Sequence, residues 1–396
     1  VSVTGIAAQS GTAACTAGSW TYTAAPALTA SGGYTLAATQ TDAAGNSGAS
    51  GSKTLTIDQV APVVSVIAPA SGSATNDTTP TLSGSCTPGD GNVTVTVKLG
   101  AATLQTVTAT CTAGAWTTTA TVLAQNGYTV QASQMDAAGN LGTSAVNAFA
   151  VDTSAPVVTV TAPAAGGVTN NTTLTFAGAC TTGDGAVTVT VKLGAVTSQT
   201  RSSACAVGAW SVAASPALAQ NAYTVSAAQT DAAGNTGTSA TVTFTIDTTA
   251  PAVTVTRVNG ATVSFPYLTV ANVTSIGGAC DTAVGDLATV SISITGATVQ
   301  SGTAPCAAGV WTYTTGPTLA TVGTYSVSAA QADAAGNSGT SGAKTFKIVP
   351  PIVHVSTPGN GGSPGGDGSA SAPVDTVSGA VTLAQSYGFN QIRISQ

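Results

Sequence analysis

A seven-residue turn sequence that recurs along the chain constrains the fold more than any other feature. It reads Gln-x-Asp-Ala-Ala-Gly-Asn, and its aspartates lie 94, 95 and 102 residues apart. A nearly fixed spacing of this size is typical of an array of small domains and not of one large core. The four copies of the turn are Gln40–Asn46, Gln134–Asn140, Gln229–Asn235 and Gln331–Asn337.

The composition favours strands over helices. Charged residues make up only 6% of the chain, and Ala, Thr, Ser, Val and Gly supply most of the rest. β-Branched and small polar residues suit half-buried strands and are poor helix formers. All fourteen acidic residues are aspartates, a residue that is frequent in turns.

One repeat, residues 59–152, shows seven short segments of alternating apolar and polar residues, separated by Gly, Pro, Asn and Asp. Seven short strands at this spacing predict a sandwich of two sheets. We label the predicted strands A to G: Val63–Ile67, Thr79–Ser85, Val93–Leu99, Leu104–Thr110, Trp116–Val122, Tyr128–Ser133 and Ala145–Val151.

At this level of detail the chain resembles the bacterial immunoglobulin-like (Ig-like) repeats of large surface adhesins and extracellular filaments. The resemblance rests on Ala61–Ala68, Leu82–Gly84, Gly127–Val130 and the turn Asp136–Asn140, and it covers roughly residues 1–349. It implies an all-β fold, a tandem array of Ig-like β-sandwich domains with a Gly/Ser-rich tail.

The repeat sets the expected domain boundaries. We predict a partial Ig-like domain at 1–58, which lacks strands A and B and part of C, and three Ig-like domains at 59–152, 153–247 and 248–349. Residues 350–396 are predicted to form a linker and tail that could donate strands.

Six of the seven cysteines form pairs with nearly the same spacing in the three later repeats. The repeat symmetry selects one bridge within each repeat, and two thiols without a nearby histidine are too few ligands for zinc. Disulfides indicate an oxidising, extracellular location. The predicted bridges are Cys86–Cys111, Cys180–Cys205 and Cys280–Cys306, each tying the B–C loop to the D–E loop; Cys15 has no evident partner.

At each junction, the aspartate that ends one repeat is expected to meet two loop aspartates of the next repeat. Carboxylates in such a group repel each other unless a cation lies between them, and oxygen ligands on loops suit Ca²⁺. The resemblance also implies interdomain calcium. The alternative is that each aspartate only caps a turn. The predicted trios are Asp58, Asp90 and Asp136; Asp152, Asp184 and Asp231; and Asp247, Asp286 and Asp333; Val349 replaces the next linker aspartate.

The two ends of the chain suggest that copies could join head-to-tail. Residues 1–15 align without gaps onto Ile292–Cys306, so the first repeat starts within strand C. Pro350–Pro358 resembles strand A and Thr376–Val381 resembles strand B, with the linker Gly359–Ala372 between them. The tail could complete the first repeat of another copy by strand addition. The alternatives are a chain cut from a longer protein and a disordered tail.

Enzymatic activity is not expected, because the chain has one histidine, in the tail, and no glutamate. The formal net charge of −6 argues against nucleic acid as a partner, and no apolar run is long enough to span a membrane.

Two classes of function remain: an extracellular structural stalk or filament, or an adhesin region that binds a glycan or a host surface. The candidate for binding is the divergent fourth repeat, with Arg257, Phe265, Pro266 and Tyr267. The tryptophan that follows each second cysteine is expected in the core, with sugar binding as the alternative.

Overall fold

The computed structural model describes residues 1–349 and, beyond them, His354–Val355 and Arg393–Ile394. Within this part of the chain all regular elements are β-strands, so the predicted all-β class is confirmed. The donor segments predicted at Pro350–Pro358 and Thr376–Val381 lie outside the described residues, apart from the short backbone pairing of His354–Val355 with Arg393–Ile394.

The strands follow the sequence repeat. In the first repeat they are β1 (Ser2–Gly5), β2 (Gln9–Ser10), β3 (Gly32–Ala37), β4 (Thr39–Thr41), β5 (Ser47–Ala49) and β6 (Lys53–Ile57). In the second they are β7 (Ser73–Thr75), β8 (Thr81–Ser85), β9 (Val93–Leu99), β10 (Ala102–Ala109), β11 (Ala115–Thr119), β12 (Asn126–Met135), β13 (Leu141–Thr143) and β14 (Asn147–Val151).

The third repeat has the same set of strands as the second. They are β15 (Gly167–Thr169), β16 (Thr175–Ala179), β17 (Val187–Leu193), β18 (Val196–Ser203), β19 (Ala209–Ala213), β20 (Asn221–Thr230), β21 (Thr236–Thr238) and β22 (Val242–Ile246). The fourth has β23 (Arg257–Val258), β24 (Ala261–Thr262), β25 (Tyr267–Thr269), β26 (Val273–Ala279), β27 (Asp286–Gly296), β28 (Gln300–Ala307), β29 (Val310–Leu319), β30 (Gly323–Asp333), β31 (Ser338–Thr340) and β32 (Lys344–Ile348). The tail pair is β33 (His354–Val355) and β34 (Arg393–Ile394).

In the second repeat the strands form two sheets. The larger has the order β10-β9-β12-β14-β7, with β13 on β12, and the smaller pairs β11 with β8. The predicted strand A is extended and bonded to β8 through Ser65 and Ile67, although its one bridge is Ala68 with Ser83. Sequence reasoning did not predict β7 or β13.

The fourth repeat differs because its two sheets are joined. Strand β28 pairs with β27 and, through Cys306 and Ala307, also with β29. Strand β28 continues past its cysteine to Ala307, whereas β10 and β18 end two residues before theirs. The repeat therefore becomes one continuous sheet, β24-β23-β26-β29-β28-β27-β30-β32-β25.

Strict alternation places the apolar side chains of each repeat between the sheets. Along β9 the side chains of Val93, Val95 and Val97 are fully buried and the intervening residues are half-buried. The same alternation along β12 buries Tyr128, Val130 and Ala132. A period of two in strands therefore produces one small core per repeat.

The tryptophan of each later repeat closes this core. Trp116 is only 2% exposed, and its Nε1 donates to the carbonyl oxygens of Ser65 and Ser85, at 3.0 and 3.1 Å. The indole fits because residue 84 is glycine: a Cβ there would collide with the Ser65 carbonyl and the indole nitrogen. Trp210 and Trp311 are buried in the same way, which confirms the core interpretation for these three side chains.

The first repeat has fewer strands and a smaller core. Its main sheet has the order β2-β1-β3-β6. Val3 and Tyr34 are buried in it, and the Tyr34 hydroxyl donates to the Ala30 carbonyl at 3.0 Å, as Tyr128 does to Ala124. Trp20, however, is 48% exposed.

Candidate functional site at the repeat junctions

The aspartate of each recurring turn organises that turn through its own carboxylate. In the second repeat, Asp136 Oδ1 accepts the backbone N–H of Ala138 and of Asn140, and Oδ2 accepts Asn140 Nδ2 at 2.7 Å. Gly139 completes the turn with φ of 93°, which glycine adopts without strain. These hydrogen bonds, that from the Asn140 side chain first, lower the pKa of Asp136 below its usual value.

The turn asparagine also bonds to the linker that enters its repeat. Asn140 Nδ2 donates to the Asp58 carbonyl at 3.0 Å. Asn235 and Asn337 donate in the same way to the carbonyls of Asp152 and Asp247, at 2.8 and 2.9 Å. One side-chain amide thus joins the closing turn to the start of the repeat at each of three junctions.

The same turn reaches the preceding repeat. The Ala233 carbonyl, in the turn of the third repeat, accepts the backbone N–H of Asn76 in the second, at 3.1 Å. The next junction repeats this bond between Asn170 and Ala335, also at 3.1 Å. In this way each of these turns contacts the domain before it.

A cross-strand row at the end of each preceding repeat forms the other side of the junction. We call it the joint row. In the second repeat it comprises Gln125, Asp152 and Asn76, which follow on from the paired residues Asn126, Val151 and Thr75. In the third repeat the row is Gln220, Asp247 and Asn170.

The glutamine of the joint row binds the linker. Gln125 Oε1 accepts hydrogen bonds from the backbone N–H and hydroxyl of Thr153 and from the hydroxyl of Ser154, the last at 2.8 Å. Gln220 makes the same three bonds to Thr248 and Thr249. Two junctions are therefore held by the same set of polar contacts.

A buried glutamine fixes the disulfide-bearing loop of each later repeat, a role that sequence reasoning missed. Gln134, the first residue of the turn sequence, is 1% exposed. Its Oε1 accepts the Thr87 N–H, and its Nε2 donates to the carbonyls of Thr87 and Gly91, all at 2.9 Å. Gln229 and Gln331 do the same for their loops. The signal was the recurrence of glutamine at this position of the turn.

The three predicted disulfides are present. Cys86–Cys111, Cys180–Cys205 and Cys280–Cys306 each have a Cα–Cα distance of 6.0 Å. In the second and third repeats the bridge ties the loop after one strand of the smaller sheet to the loop after the edge strand of the larger one, whereas in the fourth repeat Cys306 lies within β28. Cys15 is exposed and unpaired.

The predicted aspartate trios are only partly brought together. Asn140 links Asp136 to the Asp58 backbone, and Asp58 Oδ1 accepts the Val60 N–H in its own linker. Asp90 lies in the B–C loop outside this bonded set. Within the described residues no group of three or more His, Cys, Asp or Glu side chains is arranged to hold a metal ion.

In the fourth repeat the carboxylate of Asp286 lies near those of Asp281 and Asp333. Asp286 lies opposite Asp333 in the register of β27 and β30. Burial first, and then the charge of Asp281, raises the pKa of Asp286, with a smaller contribution from Asp333. Asp247, the remaining member of the predicted trio, contacts this turn only through its backbone carbonyl, which accepts the Asn337 amide. Its carboxylate Oδ1 instead accepts the backbone N–H of Thr249. Asp281 was not among the predicted residues. It is the structural equivalent of Thr87 in the second repeat, because its backbone N–H donates to the buried Gln331 as that of Thr87 donates to Gln134.

The aromatic side chains proposed for binding in the fourth repeat face its core. Phe265 and Tyr267 are half-buried and pack against the cluster that contains Trp311 and Phe346. Arg257 pairs with Gly277 in the strand ladder. Both aromatic rings are therefore partly covered by the core of their own repeat.

Comparisons with known proteins agree with the tandem sandwich fold. A family model described as a bacterial Ig-like domain matches residues 1–59, 68–153 and 161–248, more than half of the chain. A second model, described as a bacterial Ig-like domain of group 3, matches residues 212–357. No curated protein matches the chain. No helix among the described residues is long and apolar enough to cross a membrane.

Several solved structures also match this chain at low sequence identity. A tetra-tandem repeat from the extending region of a large adhesion protein is 23% identical, covers 88% of this chain and 90% of its own, and gives a TM-score of 0.34. A structure from a 1.5-MDa bacterial ice-binding adhesin is 21% identical over 74% of this chain and 100% of its own, with a TM-score of 0.34. An I-band fragment of titin is 13% identical over 74% and 99%, with a TM-score of 0.39. Similarity at this level of identity concerns the fold and not the function.

Proposed function

Because this chain belongs to the bacterial Ig-like domain family, we propose that it is a structural spacer in an extracellular stalk or filament, and not an enzyme. The observation that carries the proposal is the repeated junction. Two successive junctions use the same turn, the same asparagine amide and the same joint-row glutamine, with nearly equal bond lengths. A surface for recognition needs to differ from its neighbours, whereas a spacer needs each junction to fix the same geometry.

The disulfides support the same proposal. Each later repeat is closed by a bridge, so an extracellular, oxidising location suits it. The two junctions among repeats two, three and four are built from main-chain, amide and hydroxyl groups, which do not titrate near neutral pH. A stalk with such junctions would keep its shape over a wide range of conditions.

Electron microscopy of single molecules tests the spacer proposal. We expect straight particles with a narrow distribution of angles between repeats. Replacing Asn235 and Asn337 by alanine should broaden that distribution, because both amides bond the linker carbonyls. The matched control is Asn46→Ala, since the Asn46 amide bonds only within its own turn. Equal angle distributions in all three proteins would contradict the proposal.

Assembly of copies is a finer proposal, based on the first repeat. Trp20 is 48% exposed, whereas its counterparts in the later repeats are covered by strands A and B and are 1–2% exposed. We propose that strands from the tail of another copy cover this face. Micrographs of the full chain in millimolar calcium, compared with a version ending at Val349, test it. Filaments from the full chain alone support the proposal, and single rods from both reject it.

Calcium at the junctions remains a separate proposal. Extracellular modules commonly bind this ion with Kd values of about 10⁻⁴–10⁻³ M, so the titration should reach millimolar concentrations. We expect heat of binding in calorimetry and a higher melting temperature. The matched variant replaces Asp90, Asp184 and Asp286 by asparagine, which leaves the turn aspartates intact. Absence of heat in the unmodified protein would reject the calcium site without affecting the spacer proposal.

A further inference from the structure

The joint row of the fourth repeat differs from those of the second and third. Gly323 pairs with Ile348, and Ile348 pairs in parallel with Thr269, so the row that follows comprises Val322, Val349 and Val270. The Val349 N–H donates to the Thr269 carbonyl at 2.9 Å, as Asp152 does to Thr75 and Asp247 does to Thr169. The backbone geometry is therefore the same, while all three side chains have become apolar.

This replacement leaves apolar surface at the pole where the other repeats place polar groups. Val270 and Val322 are 46% and 38% exposed, while Val349 between them is 2% exposed. A Gln–Asp–Asn row binds a neighbour through hydrogen bonds, whereas a row of three valines has no side-chain donor or acceptor. The turn Ala233–Asn235 bonds to backbone groups of the earlier row, the Asn76 N–H and the Asp152 carbonyl, so the side-chain bonds that a valine row lacks are those to the linker.

The chain that leaves this row has changed in a complementary way. After the second and third repeats, the linker residues Thr153, Ser154, Thr248 and Thr249 supply the donors that bind Gln125 and Gln220. After Val349 the sequence continues Pro350-Pro351-Ile352, and the second proline comes two positions after the row residue; in the earlier linkers the proline comes four positions after it. The threonine and serine donors are missing from this linker, and Pro350 has no N–H to donate.

We propose that the valine row of the fourth repeat is an apolar docking surface for the segment Pro350–Ile352 of the same chain. Both partners of the polar contact differ in the fourth repeat. Val322 takes the place of the acceptor glutamine, and Pro350 takes the place of the threonine that donates to it. Burying prolines and an isoleucine on valines removes apolar surface from water and leaves no polar side chain unpaired.

The covalent connection favours this segment over any other occupant. Pro350 follows the central valine of the row directly, so the segment meets the surface at a high effective concentration. The proline pair also limits the conformations of the free segment, which reduces the entropy lost on docking. The inference does not depend on whether the array serves as a stalk.

Hydrogen exchange of the full chain tests the docking. The reporters are the amides of Ile352 and Val353, which follow the two prolines. We expect them to exchange about tenfold more slowly than in an unstructured peptide of the same sequence. In the variant Val270→Asn with Val322→Gln, which carries the side chains of the second repeat's row, this protection should be lost.

A matched control separates docking from general effects of the substitutions. Val284 and Val299 are fully and largely exposed, and Val284→Asn with Val299→Gln should leave the protection of Ile352 and Val353 unchanged. The near-ultraviolet circular dichroism of the aromatic side chains should be the same in both variants. Unprotected amides in the unmodified chain, or protection that survives the row substitutions, would overturn the proposal. Protection that grows with protein concentration would also overturn it, in favour of a second copy as the occupant.

Discussion

The first and second repeats carry the same turn sequence but differ in what surrounds it. Asp42 accepts the N–H groups of Ala44 and Asn46 and the Asn46 amide, as Asp136 does in its own turn. Gln40, in contrast, is exposed, whereas Gln134 is 1% exposed and clamps a loop. The closing turn is thus a local structure that forms in either setting, while the glutamine, the tryptophan and the cysteine need partners that are distant in sequence.

The largest expected difference between these settings concerns the tryptophan. Trp210→Ala should destabilise the third repeat by about 3–5 kcal/mol, because it empties a filled core site and leaves two carbonyls without their donor. Trp20→Ala should change the stability of the first repeat far less, since that ring is half exposed. Hydrogen exchange resolved by repeat would measure both. An equal loss of stability in the two repeats would show that Trp20 contributes to a core in the first repeat despite its exposed ring.

The disulfides should give the next largest effect. Replacing Cys180 and Cys205 together by alanine is expected to cost roughly 3 kcal/mol, because the bridge shortens the unfolded chain between two positions 25 residues apart. Cys15→Ala should cost nothing comparable, since Cys15 is exposed and unpaired. Urea unfolding followed by exchange in each repeat is the measurement. An unchanged midpoint for the third repeat would mean that the bridge adds no constraint.

The buried glutamine should come third. Gln229→Leu leaves the Thr181 N–H and the carbonyls of Thr181 and Gly185 without their partner, which should cost roughly 1–3 kcal/mol. The same substitution at Gln40 removes no such clamp and is expected to be nearly neutral. Protection of the Thr181 amide reports the effect directly. If Gln40→Leu were as costly, the first repeat would have a clamp of its own.

The smallest expected effect is a contrast in pH dependence between the third and fourth repeats. The Asn235 amide lowers the pKa of Asp231 in the folded protein. The hydrogen bonds of this turn therefore stabilise the third repeat fully above the pKa of about 3.9 that an aspartate has in the unfolded chain, and this stabilisation is lost as the pH falls through the lower pKa of the folded state. Burial and Asp281 raise the pKa of Asp286, so its negative charge destabilises the folded fourth repeat at neutral pH. This destabilisation is removed as the pH falls through the raised pKa and Asp286 becomes protonated. Mild acid should therefore favour the fourth repeat relative to the third.

Carboxyl-resolved NMR titration would check this contrast. Asp231 should titrate below about 3.9 and Asp286 above it. Asp286→Asn should remove the fourth repeat's gain in mild acid without changing the third repeat. A midpoint for Asp286 at or below that of Asp231 would contradict the placement of Asp286 beside Asp281.

Most of the fold followed from local sequence. Alternation along β9 and β12 predicted the sandwich, and the repeat symmetry of Cys86 and Cys111 predicted the bridge. The turn aspartate caps its turn, which was the alternative to a calcium site, and calcium itself stays a prediction. These features depend on residues that are near in sequence, or on a period that repetition makes visible.

The junctions could not be predicted in the same way. The bond from Asn76 to Ala233 joins two domains, and the joint row depends on the register of three strands, which periodicity alone does not supply. The aspartate trios were placed by loop order, but the distance between Asp90 and Asp136 depends on loop conformation. In the fourth repeat that conformation brings in Asp281, a residue that the repeat pattern did not single out.

The parallel pairing of β7 with β14 has a mechanical consequence. Ser73–Thr75 lies near the start of its repeat and Phe149–Val151 at its end, and the two run in the same direction. A pull on the two ends of the repeat therefore loads all the hydrogen bonds of this pair at once, in shear, instead of opening them one by one. If the repeat unfolded under force, the 25 residues closed by the Cys86–Cys111 bridge could not be extended, and each would shorten the unfolded chain by roughly 3.4 Å. Under tension, a repeat of this kind yields late and lengthens less than the same repeat would without its bridge.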